Sequence, residues 1–155
     1  MSGPLDVSVE REGTVRASAK DVWHVLTVPE LRVQVFSMVT QAATEEGEPG
    51  EVGHVLQITE RDGGGEPIVV RLTTVEAEPY SRLVQERVGP DGSFTTTTLL
   101  EESQDGTRVS RVFHVYNANP SIAERAMRKA IATFFTLGGT VRLKADIGDL
   151  IRHFS

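Results

Sequence analysis

The chain has 155 residues, 39% hydrophobic and 25% charged, with a formal net charge of −6 and no cysteine. That length suits one domain, residues 1–155, able to bury a sizeable core. The acidic balance argues against nucleic acid as the main partner, and the missing cysteines remove disulfides, thiolate nucleophiles and cysteine-ligated metals. No run has the character of a signal peptide or reaches transmembrane length, so the expectation is a soluble cytoplasmic protein.

The first strand pattern covers 7–17, its alternation blurred at Glu12-Gly13. Ser18 opens a helix with Asp21 three residues on, a capping-box-like start, and Val22, Trp23 and Leu26 give that helix an apolar face. Pro29 ends it and starts a second short helix over 30–36. A strand follows over 38–44, then an acidic Gly/Pro loop over 45–50. Five further strand runs cover 52–61, 67–77, 82–88, 93–101 and 107–117. They are separated by Asp62-Gly63-Gly64-Gly65, Glu78-Pro79, Gly89-Pro90-Asp91-Gly92 and Asp105-Gly106. Asp-Gly between alternating runs is a strong hairpin signal.

The last third, 121–153, reads as one long helical pattern. Ser121 and Glu124 form a capping box, and Asn119-Pro120 stops the preceding strand. Ala123, Ala126, Met127, Ala130, Ile131, Phe134, Leu137, Gly138 and Val141 fall on one face. Arg125, Arg128 and Lys129 fall on the other side and read as a solvated basic face. Beyond Val141 the apolar stripe shifts phase to Leu143, Ile147, Leu150, Ile151 and Phe154. A straight helix of this length would run roughly 50 Å, beyond the ~30 Å of a small domain. A kink or break is therefore expected near Gly138-Gly139. It would be a bend following the sheet, a hinge over a ligand entrance, or the start of a segment packing on a second subunit.

Short helices, an antiparallel meander of six to seven strands and a long terminal helix indicate an α+β fold. Such a meander must twist and curl, and the C-terminal helix is the only element large enough to cover its concave face. In the last strand Val109, Arg111, Phe113 and Val115 form the more apolar parity, leaving Ser110, Val112, His114 and Tyr116 outside. A two- or four-residue turn at Asp105-Gly106 puts Phe94, Thr96, Thr98 and Leu100 on the same side. A three-residue Pro90-Asp91-Gly92 loop adds Val84, Glu86 and Val88, and one residue more or less flips that set. Arg111 is the odd cation on this face. Either it is salt-bridged to Glu86 or exposed at a strand end, or it orients a carboxylate or enolate oxygen of an apolar ligand. The four histidines are scattered without a metal-ligand spacing, and no P-loop, dinucleotide fingerprint or Gly-x-Ser-x-Gly is present. Neither a metal nor a cofactor is expected.

The element order, with the run from Val15-Arg16-Ala17-Ser18 to Val22-Trp23-His24-Val25-Leu26-Thr27, resembles the START-like (SRPBCC) superfamily. Val52-Gly53, Val75-Glu76-Ala77-Glu78-Pro79 and Gly106-Thr107-Arg108-Val109 are further points of similarity. This is the helix-grip fold of Bet v 1 allergens, lipid-transfer domains and bacterial polyketide cyclase/dehydrase-type proteins. Where relatives often carry a tryptophan in the second short helix, this chain has Phe36. The resemblance implies a central cavity closed by the C-terminal helix. It makes Met127 and Phe134 candidates for its roof, with Met38 and Tyr80 as weaker lining candidates. It implies binding of a hydrophobic small molecule such as a lipid, polyketide or aromatic metabolite. Two alternatives share the fold. One is an aromatase/cyclase-type enzyme using Arg111, with Glu86 or Tyr80 carrying protons. The other is an interaction module whose second apolar stripe, 143–154, faces a partner, a homodimer through the C-terminal helix included.

Overall fold

The computed structural model describes residues 3–61, 65–90 and 92–155. In chain order its elements are β1 (Leu5–Val15), α1 (Ala19–Thr27), α2 (Pro29–Val35), β2 (Val39–Glu46), β3 (Val55–Glu60), β4 (Ile68–Glu78), β5 (Arg82–Gly89), β6 (Gly92–Ser103), β7 (Gly106–Asn117), α3 (Ile122–Ala126) and α4 (Arg128–His153). The seven strands form one antiparallel sheet in the order β1-β7-β6-β5-β4-β3-β2. The first strand thus closes against the last, with Val9 opposite Phe113. This is the helix-grip α+β architecture. Of the expected turns, Asp62, Gly63 and Gly64 between β3 and β4, and Asp91 between β5 and β6, lie outside the described residues.

Local chemistry accounts for the boundaries. The Ser18 hydroxyl accepts the Asp21 N–H at 3.1 Å and caps α1. Pro29 occupies the first turn of α2, where its missing N–H costs nothing. Ser121 and Glu124 exchange both bonds of a capping box, each at 3.1 Å. At the β6–β7 turn, Gly106 has φ +127°, and a Cβ there would lie 2.1 Å from the Val15 carbonyl oxygen. Only glycine fits.

The hydrophobic core fills the space between α1, α2, the sheet and the C-terminal half of α4. Val22, Leu26, Phe36, Leu56, Ile58, Leu83, Val109, Leu143 and Leu150 are all buried there. Full burial of one such side chain stabilises by about 1.5–3 kcal/mol. Phe36 fills its place at 2% exposure, so the absent tryptophan leaves no packing defect.

Two expectations for the C-terminal helix are corrected. First, α4 runs unbroken through Gly138-Gly139, and the interruption falls instead at Met127 (φ −101°, ψ 11°), between α3 and α4. The glycines serve close packing. A Cβ on Gly139 would sit 2.7 Å from Val9 Cγ2 and 3.4 Å from Phe113 Cδ2, whereas Gly138 faces open space. Second, Leu143, Ile147 and Leu150 are buried in the chain's own core, so most of this stripe faces inward and Ile151 is its exposed member. The earlier stripe is the exposed one, with Phe134 at 78% and Met127, Leu137 and Val141 similarly open.

The two glycines should therefore respond oppositely to substitution. Gly138→Ala removes a poor helix former from an open position and should stabilise by about 0.5–1 kcal/mol. Gly139→Ala crowds Val9 and should destabilise by about 1–3 kcal/mol. Urea unfolding of both variants checks this, and equal effects would contradict the packing role.

Candidate functional site

Because only the C-terminal half of α4 is packed into the core, a cavity of about 1270 Å³ remains between the other half and the concave face of the sheet. Its apolar wall includes Met38, Ile58, Ile68, Val70, Leu72, Phe94, Phe113 and Val115, with Thr96 among them. Phe94 and Phe113 pack with ring centroids 4.8 Å apart and planes tilted by 44°, and Phe135 of α4 meets Phe94 edge-on at 5.5 Å. Met127 and Phe134 lie at the rim, both lining the cavity and exposed.

Register explains which side chains face inward. Thr96, Thr98 and Leu100 stand opposite Phe113, Arg111 and Val109, so these two strands present the parity read from the sequence. Val109 and Thr98 lie behind the cavity surface: Val109 is in the core, and the Thr98 hydroxyl accepts the Arg111 Nε–H at 3.2 Å. The expected parity of β5 is reversed. Gly89 pairs with Gly92, leaving two residues between the strands where three were expected. Leu83, Gln85 and Arg87 therefore share the face of Thr98, Thr96 and Phe94, while Glu86 is exposed on the convex side. Glu86 is not the partner of Arg111. Tyr80 is also outside the cavity, at the β4–β5 corner with φ 70°, its ring edge-on to Trp23 at 6.1 Å. His114 pairs with Asp6 on the convex face at 2.6 Å.

Arg111, only 3% exposed, meets Asp146 of α4, Nη1 to Oδ2 at 2.8 Å. Arg142 donates to the other oxygen of Asp146 at 3.2 Å and also to Glu60. Glu60 accepts from Arg87 at 2.8 Å. The result is one chain of alternating charge, Arg87–Glu60–Arg142–Asp146–Arg111, linking β3, β5, β7 and α4. Burial alone would raise the Glu60 carboxyl, but the Arg142 and Arg87 guanidiniums overcome it and hold the group below its ordinary value. Burial lowers Arg111, opposed by Asp146. Burial works the same way on Arg142, yet Asp146 and Glu60 together drive it upward.

Arg32 of α2 joins the wall from below. Its Nε donates to the Leu26 carbonyl at 2.7 Å and its Nη2 to Gln85 Oε1 at 3.2 Å, both neutral acceptors. Burial first, and then the Arg111 charge, pull its pKa down to about 9, leaving it cationic at neutral pH. The guanidinium carbons of Arg32 and Arg111 lie 5.4 and 5.8 Å from the centre of the Phe36 ring. Sequence reasoning found Arg111 but missed Arg32, Glu60, Arg87, Arg142 and Asp146. Arg142 and Asp146, four apart, look like an ordinary surface helix pair, and the face of Arg87 depended on one residue of loop length.

Residues 6–148 match the family described as polyketide cyclase / dehydrase and lipid transport. The chain belongs to that family. None of the curated proteins matches this family member. Among solved structures it is similar to the di-domain ARO/CYC StfQ of the steffimycin biosynthetic pathway (TM-score 0.76, 13% identity, 97% of this chain and 51% of that one). It is likewise similar to the major latex-like protein 151 of Panax ginseng (0.69, 12%, 97% and 99%) and to Ara h 8.0201 (0.62, 15%, 95% and 99%). At these identities the likeness is one of fold. Among the described residues no helix is long and apolar enough to cross a membrane.

The buried chain makes this family member acid-sensitive in a defined sense. With Glu60 below its ordinary 4.5 in the folded protein, the unfolded state binds more protons between the two values. Its stabilisation is complete above about pH 4.5 and is lost as pH falls through the folded value. Glu60→Gln, which leaves Arg87 and Arg142 without their shared charge, should cost about 3–5 kcal/mol at neutral pH. That difference should shrink in acid, as read from urea midpoints across a pH series.

Proposed function

We propose that this protein holds a hydrophobic small molecule, of lipid, polyketide or aromatic-metabolite type, between the sheet and α4. The observation carrying this reading is the cavity of about 1270 Å³ with its largely aliphatic and aromatic wall. The buried charges on that wall, Glu60, Arg87, Arg111, Arg142 and Asp146, form one connected chain, which suits a greasy body with a polar anchor. The family description, which couples lipid transport with polyketide chemistry, supports both classes of guest.

Binding is favoured over cyclase-type catalysis for a specific reason. General acid–base work needs a group placed to give or take a proton at the substrate. Glu60 and Asp146 each serve two guanidiniums, Arg111 is committed to Asp146 and Thr98, and Glu86 and Tyr80 stand outside. The cytoplasm is the companion expectation for where it acts.

The neutral fluorophore N-phenyl-1-naphthylamine should bind saturably at one site per chain. Val115, half-buried on the cavity wall, offers a way to fill the space. Val115→Trp should weaken the fluorophore about tenfold or more while circular dichroism stays native. Absence of saturable binding, or indifference to the tryptophan, would sink the reading.

A further inference from the structure

Arg32 is 4% exposed and lines the cavity, yet among the described residues its hydrogen bonds reach only neutral oxygens, those of Leu26 and Gln85. A guanidinium carries five N–H donors, so those two bonds leave the remainder of its fork without a protein acceptor. The surroundings do not supply the missing charge. Arg32, Arg111 and Arg142 face two carboxylates, Glu60 and Asp146, and Glu60 is already shared with Arg87. Phe36 holds Arg32 and Arg111 near the same ring, and the two cations repel each other across this part of the wall. A buried cation without an anionic partner is costly, and Arg32, bonded only to neutral oxygens among the described residues, is in that position.

We infer that the guest carries a single carboxylate, seated against the Arg32 fork with Arg111 beside it, its apolar body lying along the cavity wall. This rests on the binding function proposed above and narrows its ligand to monoanionic amphiphiles. One carboxylate supplies the anionic acceptor that Arg32 lacks. The planar two-oxygen head of a carboxylate matches the guanidinium fork, giving paired charge-assisted hydrogen bonds.

The test compares dodecanoic acid, dodecan-1-ol and methyl dodecanoate as competitors of N-phenyl-1-naphthylamine on the intact chain at neutral pH. The acid should bind about tenfold or more tighter than the alcohol and the ester. Arg32→Met should erase that preference while leaving alcohol affinity within about twofold, and Arg32→Lys should restore part of it. Arg71→Gln, which removes an exposed charge from the outer side of β4, should leave the preference intact. Should Arg32→Met fail to fold, titration of carboxyl-¹³C dodecanoate bound to the wild-type chain decides. A bound carboxylate still ionised below its free pKa supports the site, and a raised pKa overturns it. Equal binding of acid and alcohol, or a preference that survives in Arg32→Met, overturns the carboxylate site alone. Failure of the alcohol, ester and fluorophore to bind at all overturns the binding function with it.

Discussion

Glu60 and Asp146, each gripped by two guanidiniums, mark the place where packed core gives way to open cavity. Apolar burial has no preferred direction, but an ion pair between a strand and a helix fixes distance and rotation together. The chain from Arg87 to Arg111 crosses three strands and reaches α4, so it sets how the helix is turned above the sheet. Desolvation of buried charges largely offsets their attraction. The network is therefore better understood as a device for orientation than as a large net source of stability.

With that orientation set, α4 divides its labour. Its C-terminal half inserts Leu143, Ile147 and Leu150 into the core, and Gly139 lets it close on β1 without a side chain in the way. The other half extends past the packed region, and its apolar residues stand along the rim instead of beneath the helix. Fewer buried contacts imply a lower free energy of local opening for this half than for the anchored one. Access to the interior then depends on the element that is least held down.

Much of the architecture was readable because local signals agreed with one another. Ser18 with Asp21, Ser121 with Glu124, and the Asp-Gly turn before β7 each have one good structural interpretation, and together they order the elements. The parity of β7 was legible for the same reason, since Val109, Phe113 and Val115 outvote a lone arginine. The remainder of the site was not legible, because it is made of charges that resemble surface residues. Arg32 sits in a short helix beside Pro29 and Glu30, and nothing in that neighbourhood marks it as buried. Glu60 closes a strand just before a polar turn, where a solvated carboxylate is the ordinary reading. Gly138 and Gly139 were equivalent as helix breakers in the sequence, and only the proximity of Val9 distinguishes them.

The two-residue connection between β5 and β6 has a consequence for how such interiors diversify. Arg87 and Glu86 are adjacent in the chain but lie on opposite faces of the sheet. An added residue there that is taken up as a one-residue slip of β5 against its neighbours would exchange their faces, turning Arg87 out of the chamber and Glu86 into it. Insertions at an exposed hairpin tip are among the most readily tolerated changes a gene can acquire. The electrostatic character of the pocket is thus adjustable from the protein's periphery, without substituting any residue that touches the guest.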